Sequence, residues 1–175
     1  MTQHTPLAIP PAALAELRVT DDAGSVPAPF TDDEGGAPLR CCLRPSIPGE
    51  TVALVTYAPL RRWAARTGAR PGAYDEQGPV FVHPGECGGP GERRGGGYPF
   101  ARPGALRTLR RYDARGHIDG GRLLEVTADA DGGIDAALDE AFADPGVALV
   151  HVRAVEFGCF QFEVRRPGPP AAHRP

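Results

Sequence analysis

GIDAALDEAFADPGVALVHVRAVEFGCFQFEVRR, residues 133–166, sets one helical pattern directly before two strand patterns. Ile134, Ala137, Leu138, Ala141 and Phe142 recur at the i, i+3, i+4, i+7, i+8 spacing of a single buried helix face. Asp144-Pro145-Gly146 stops that helix, because proline cannot continue it and glycine turns the chain. VALVHVRAVEFGCFQFEVRR then reads as a C-terminal β-hairpin rich in β-branched and aromatic residues. Strands before the helix and strands after it predict an α+β fold: a mainly antiparallel sheet with one clear amphipathic helix.

The hairpin also predicts a register. With Phe157-Gly158 as a two-residue turn and Gly158 at positive φ, Arg153 opposes Phe162 and His151 opposes Val164. His151, Arg153 and Val155 then share the face of Phe160, Phe162 and Val164, and Val152, Ala154 and Glu156 share that of Cys159, Gln161 and Glu163. A charged arginine on a phenylalanine face needs a carboxylate or a ligand.

Working outward, the 175 residues suit one domain. The sequence predicts tails over 1–11 and 167–175 around a single domain over 12–166. LRVTDD reads as the first strand, PLRCCLR and TVALVTYAPL as two more, RRWAARTG as a short helix and GPVFVHP as a strand. PGALRTLRRYD, with proline at a helix N1 position, reads as a short helix carrying Arg107, Arg110 and Arg111. GRLLEVTAD reads as a strand. Glycine and proline number 23 and 20, so loops are extensive, the longest being the glycine-rich segment 84–99.

A net charge of −3 gives no footprint for nucleic acid. No stretch approaches the ~20 apolar residues of a membrane span, and no signal peptide is evident. The chain is therefore read as cytoplasmic, with its four cysteines reduced. The basic residues are all arginine, so an anion site would use guanidinium groups. Phosphate-loop, GxGxxG and GxSxG motifs are absent.

Chemistry concentrates on cysteine and histidine. Extended alternation through LRCCLR puts Cys41 between Leu39 and Leu43 on one face, as core, and Cys42 between Arg40 and Arg44 on the other. Flanking cations favour a thiolate at Cys42, and an extended strand aims the two sulfurs apart, which disfavours a two-cysteine metal clip. VFVHPGEC adds His83 and Cys87. Cysteine and histidine are zinc's usual ligands, so zinc is a possible cofactor, on Cys41 or Cys42 with His83, Cys87 and His151. A cysteine–histidine catalytic pair competes with it, with Cys42 as nucleophile and His83 or His151 as base. His4 and His173 fall in the tails, and His117 in an exposed turn.

GGAPLRCCLR, PGETVALVTYAPL, YDEQGPVFVHPGEC, LRRYDARGHIDGG and VALVHVRAVEFGCFQFEVRR, in this order, resemble the bacterial family Domain of Unknown Function 1203 from about residue 18 to 165. The resemblance implies a small single-domain cytoplasmic protein and no activity. The family pattern keeps positions matching Arg40, Cys42, His83, Cys87, Tyr112, Asp113, His151, Arg153 and Cys159, and varies at that of Cys41. The insert GGPGERRGGG looks longer here than in relatives.

The leading expectation is an enzyme acting on a small anionic molecule, with Cys42, His83 and His151 catalytic and Arg40, Arg153 and Tyr112 binding substrate. The first alternative is a zinc protein using Cys42, His83, Cys87 and His151. The second is a non-catalytic ligand-binding or interaction domain. Neither a nucleic-acid nor a membrane partner is expected.

Overall fold

A computed structural model describes residues 4–91 and 97–166. Helix α1 spans Pro11–Leu17. Strands β1 (Phe30–Asp32), β2 (Pro38–Leu39), β3 (Arg44–Pro45) and β4 (Glu50–Tyr57) follow, then α2 (Pro59–Thr67) and β5 (Gly78–Val82). The second half holds β6 (Leu106–Asp113), β7 (Ile118–Glu125), α3 (Ile134–Ala143), β8 (Val147–Ala154) and β9 (Phe160–Arg165). One sheet has the order β1-β4-β5-β2-β3 and the other β7-β6-β8-β9. All pairings are antiparallel except β2 with β5. The α+β class, the helix over Ile134–Ala143 and the C-terminal hairpin are as the sequence predicts.

Strand β8 is buried on both faces. Val150 and Val152 pack with Ala137, Leu138 and Ala141 of α3, while Leu149 packs with Leu60 and Trp63 of α2. A third cluster joins Leu14 and Leu17 of α1 to Val52 and Val55 of β4 and to Phe160 of β9. Phe160 lies edge-on to Tyr57 with ring centroids 5.6 Å apart, so the two sheets meet there.

Five local expectations are corrected. LRTLRRYD is strand β6, not a helix, paired to β7 on one side and β8 on the other. Its polar residues blur the two-residue alternation, and Leu109 and Tyr112, three apart, mimic a helical step while facing α3 and α2. LRVTDD is the end of α1 and a turn. Pro11 at the first helical position presets φ, and Asp21 Oδ1 accepts from the Ala23 and Ser25 amides at 3.0 and 2.8 Å. Residues 4–11, expected as tail, lie on the domain: the Leu7 amide donates to the Glu163 carbonyl and His4 pairs with Asp139, each at 2.8 Å. His117 is half-buried against Tyr74, ring centroids 5.0 Å apart. The expected C-terminal tail and His173 lie outside the described residues.

The hairpin register is the fifth. Gly158 has φ +64°, as the turn requires, but a bulge between Val152 and Arg153 moves the ladder. Arg153 opposes Phe160, Val152 opposes Phe162 and His151 opposes Glu163. The buried histidine thereby meets a carboxylate, His151 Nε2 lying 3.0 Å from Glu163 Oε2. Arg153 is half-buried, donates to the Gly158 carbonyl at 2.7 Å and lies 3.5 Å from Glu76.

Candidate metal centre

Strand β2 runs beside β5 in parallel, with Leu39 opposite Phe81 and the Arg40 amide donating to the Phe81 carbonyl at 2.9 Å. Parallel strands leave the sheet at the same end, so the residues after Leu39 and those after Val82 emerge together. Strand β4 is antiparallel to β5, which brings Glu50, at its start, to that same end. Cys41, Cys42, His83 and Glu50 thus meet at one corner.

PLRCCLR is not extended throughout, and this overturns the separation of its cysteines. After Leu39 the chain makes one tight turn, closed by the Leu43 amide on the Leu39 carbonyl at 2.8 Å, with Leu43 at φ +57°. Successive side chains on such a turn diverge by about 100° rather than the 180° of a strand. Both sulfurs therefore reach the same side, 4.0 Å apart. Cys41 is buried, as expected, but beside His83 rather than among leucines alone: its sulfur lies 3.3 Å from Nδ1 and accepts the His83 amide at 3.2 Å. Cys42 Sγ lies 3.8 Å from the same Nδ1.

Cys87, half-buried at the start of the glycine-rich loop, completes the group. The ligand atoms of Cys41, Cys42, His83 and Cys87 all fall within 4.8 Å of one another. Arg18 orients this loop, its Nε donating to the His83 carbonyl at 3.0 Å and its Nη2 to the Gly85 carbonyl at 2.6 Å.

Glu50 fixes the histidine. His83 Nε2 donates to Glu50 Oε1 at 2.8 Å, which leaves the Nδ1 lone pair aimed at the sulfurs. Arg44 grips the same carboxylate with two donors, at 2.6 and 3.0 Å. Arg44's hydrogen bonds hold the Glu50 carboxyl well below the usual range, against a smaller opposing effect of burial. Within the cysteine pair, the Cys41 thiol is pushed up by its hydrogen bond to Cys42 and by burial. The Cys42 thiol is drawn down by that same bond and by Arg44. The corner can therefore bind a soft cation, or hold one proton between two sulfurs.

The other expected site residues lie elsewhere. Arg40 turns away from Cys42 to the Phe160 carbonyl and Cys159 Sγ, at 2.8 and 3.2 Å. His151 is engaged with Glu163, and Tyr112 packs on it with ring centroids 4.8 Å apart. Asp113 closes the β6–β7 turn, accepting the Arg115 and His117 amides at 2.9 Å. His151 is thus no partner of Cys42 and Cys87, and Cys41 takes the place expected for it. Glu50 and Arg18 were not foreseen, since nothing in PSIPGE or AELRVT marks either as a neighbour of His83.

Fold and corner together define a small α+β protein with a cysteine–histidine cluster suited to a metal ion. The profile of the family described as protein of unknown function (DUF1203) matches residues 36–166, and the chain belongs to that family. Comparisons with curated proteins and with solved structures find no match. No helix among the described residues is long and apolar enough to cross a membrane.

Proposed function

We propose that this chain is a zinc-binding protein in which Cys41, Cys42, His83 and Cys87 hold one ion. The observation that carries the reading is the convergence of three sulfurs and a carboxylate-backed imidazole within 4.8 Å. With Zn–S about 2.3 Å and Zn–N about 2.0 Å, tetrahedral ligand atoms lie roughly 3.5–3.8 Å apart. The separations of 4.0, 3.3 and 3.8 Å among Cys41, Cys42 and His83 need only small shifts to meet that geometry. Thiolate and imidazole ligands in a tetrahedral set select zinc over hard, oxygen-preferring cations. Four protein ligands leave no open position, which favours a structural or sensing ion over a catalytic one. A reducing cytoplasm keeps such thiols available.

The direct test is elemental analysis with native mass spectrometry on untagged protein. One zinc per chain, retained through gel filtration and removed by a strong chelator, is expected. Protein that holds no stoichiometric zinc even after reconstitution sinks the reading. Glu50→Ala removes the acceptor that orients His83. Its zinc affinity is expected to fall about 10–100-fold with the fold intact, as for other outer partners of metal-bound histidines. A chromophoric chelator in competition reads that change.

A second reading keeps Cys42 as a nucleophile and His83 as its proton carrier. It is favoured by the Cys41 hydrogen bond and the Arg44 charge, both of which promote a thiolate at Cys42. It fails if Cys42 in metal-free protein reacts with iodoacetamide no faster than a free thiol at neutral pH. The arginines expected to orient an anion beside Cys42 are engaged away from it, so a small anionic substrate forms no part of this reading.

A further inference from the structure

Arg40 is 1 % exposed, and among the described residues no carboxylate lies within ion-pair distance of it. Its Nε donates to the Phe160 carbonyl at 2.8 Å and its Nη1 to the Pro38 carbonyl, which satisfies geometry but not charge. Its Nη2 donates to Cys159 Sγ at 3.2 Å. Gln161 Nε2 donates to the same sulfur, also at 3.2 Å. Buried charges are kept where they are paired, and the sulfur is the one group hydrogen-bonded to Arg40 that can carry the opposite charge.

Cys159 is not sealed in. It is half-buried and lines a cleft of about 210 Å³ together with Tyr57, Glu76, Arg153 and Phe160. Besides Arg40, the charged and titratable groups that face it are Arg107 from β6, Arg153 from β8, Glu76 from the segment before β5, and Tyr57 from β4. Arg107 is itself paired to Glu156 at 3.5 Å, so three arginines, Arg40, Arg107 and Arg153, stand against the two carboxylates Glu76 and Glu156 around the sulfur. The cleft admits a few small polar molecules and nothing the size of a nucleotide.

We propose that Cys159 is a covalent modification site: its sulfur, which accepts hydrogen bonds from Arg40 and Gln161 and lines this cleft, reacts as the thiolate with small peroxides and is oxidised to the sulfenic acid. The sulfur attacks one oxygen of hydrogen peroxide and an S–O bond forms as the O–O bond breaks. The second oxygen leaves as hydroxide and takes a proton from solvent to become water. The sulfur loses two electrons and the peroxide gains them. The site stands apart from the cysteine–histidine corner, and its chemistry does not depend on zinc being bound there.

The test treats the full-length protein as purified with one equivalent of hydrogen peroxide at neutral pH in the presence of dimedone, then maps adducts by peptide mass spectrometry. Most of the adduct is expected on Cys159, with none there in Cys159→Ser. Gln161→Leu, close in volume, is expected to cut Cys159 labelling at least five-fold while circular dichroism stays unchanged. Arg40→Met is expected to cut it at least ten-fold. If Arg40→Met does not fold, the wild-type map and Gln161→Leu decide. Adduct mainly on Cys41, Cys42 or Cys87, no adduct on Cys159, or wild-type labelling in folded Gln161→Leu each overturns the proposal.

Discussion

Cys41→Ser is expected to weaken zinc binding as severely as Cys42→Ser does. Structural zinc sites bind with about 10–16 kcal/mol, so four ligands share it at roughly 2.5–4 kcal/mol each. Losing one ligand then costs on the order of 10²–10³ in affinity. The equality of the two variants is the informative part. An extended LRCCLR would leave Cys41 in the core, and its replacement by serine would spare the metal. The turn closed by Leu43 on Leu39 puts both sulfurs within reach of His83 Nδ1. Chelator competition on the two variants, beside Cys87→Ser, reads the difference. Affinity is also expected to fall as pH falls. Each thiol must shed its proton to bind, and Cys41, whose thiol is pushed up, holds its proton more tightly than a free cysteine.

Glu163→Leu is expected to destabilise the fold by about 1–3 kcal/mol, the usual cost of leaving a buried polar group, here the His151 imidazole, without its hydrogen-bond partner. His151 is 1 % exposed and Glu163 5 %, so no solvent replaces the lost carboxylate. Tyr112 and Phe160 close over the imidazole, with ring centroids 4.8 and 5.1 Å away. The double variant His151→Leu/Glu163→Leu is expected to recover most of the loss, because it leaves no buried polar group of the pair unpartnered, and Arg165, the other partner of Glu163, is exposed to water. Urea unfolding of the three proteins measures both effects, provided the slope stays constant. A loss under about 1 kcal/mol in the single variant would show that the pair is dispensable.

The same carboxylate gives a pH dependence of definite sign. Burial raises the Glu163 carboxyl, but hydrogen bonds and charge from His151 and Arg165 outweigh it, and the net shift is downward. A carboxyl depressed in the folded state stabilises it above the unfolded value of about 4.3. That contribution is lost as pH falls through the lower, folded value. The fold is therefore expected to weaken in acid, and less so in Glu163→Leu, where the group is gone.

Much of the architecture was legible in the sequence. Ile134 to Phe142 carried a helical face because one side of α3 meets one sheet, and nothing else competes for it. Gly158 marked the last turn because the chain there needs positive φ. What stayed hidden depended on partners distant in sequence. Strand β6 is flanked on both sides, and backbone pairing to β7 and β8 overrides a pattern that looked helical. The bulge between Val152 and Arg153 has no local signal in the sequence, and with it His151 meets Glu163 rather than Val164.

The candidate site divides the same way. By itself the sequence determined the inventory: cysteines at 41, 42, 87 and 159, histidines at 83 and 151, and basic groups that are all arginine. It also determined the α+β class, because side-chain periodicity is a local property. Only the tertiary structure decided which of these residues act together. A parallel contact between β2 and β5 and one tight turn after Leu39 bring both adjacent cysteines to His83, and they send Arg40 the other way, to Cys159. Strand parity could not show this, because the direction of a side chain depends on the backbone angles at that residue. Here a hydrogen bond closing a five-residue turn sets those angles, and the hydrophobic pattern that identifies strands does not record it.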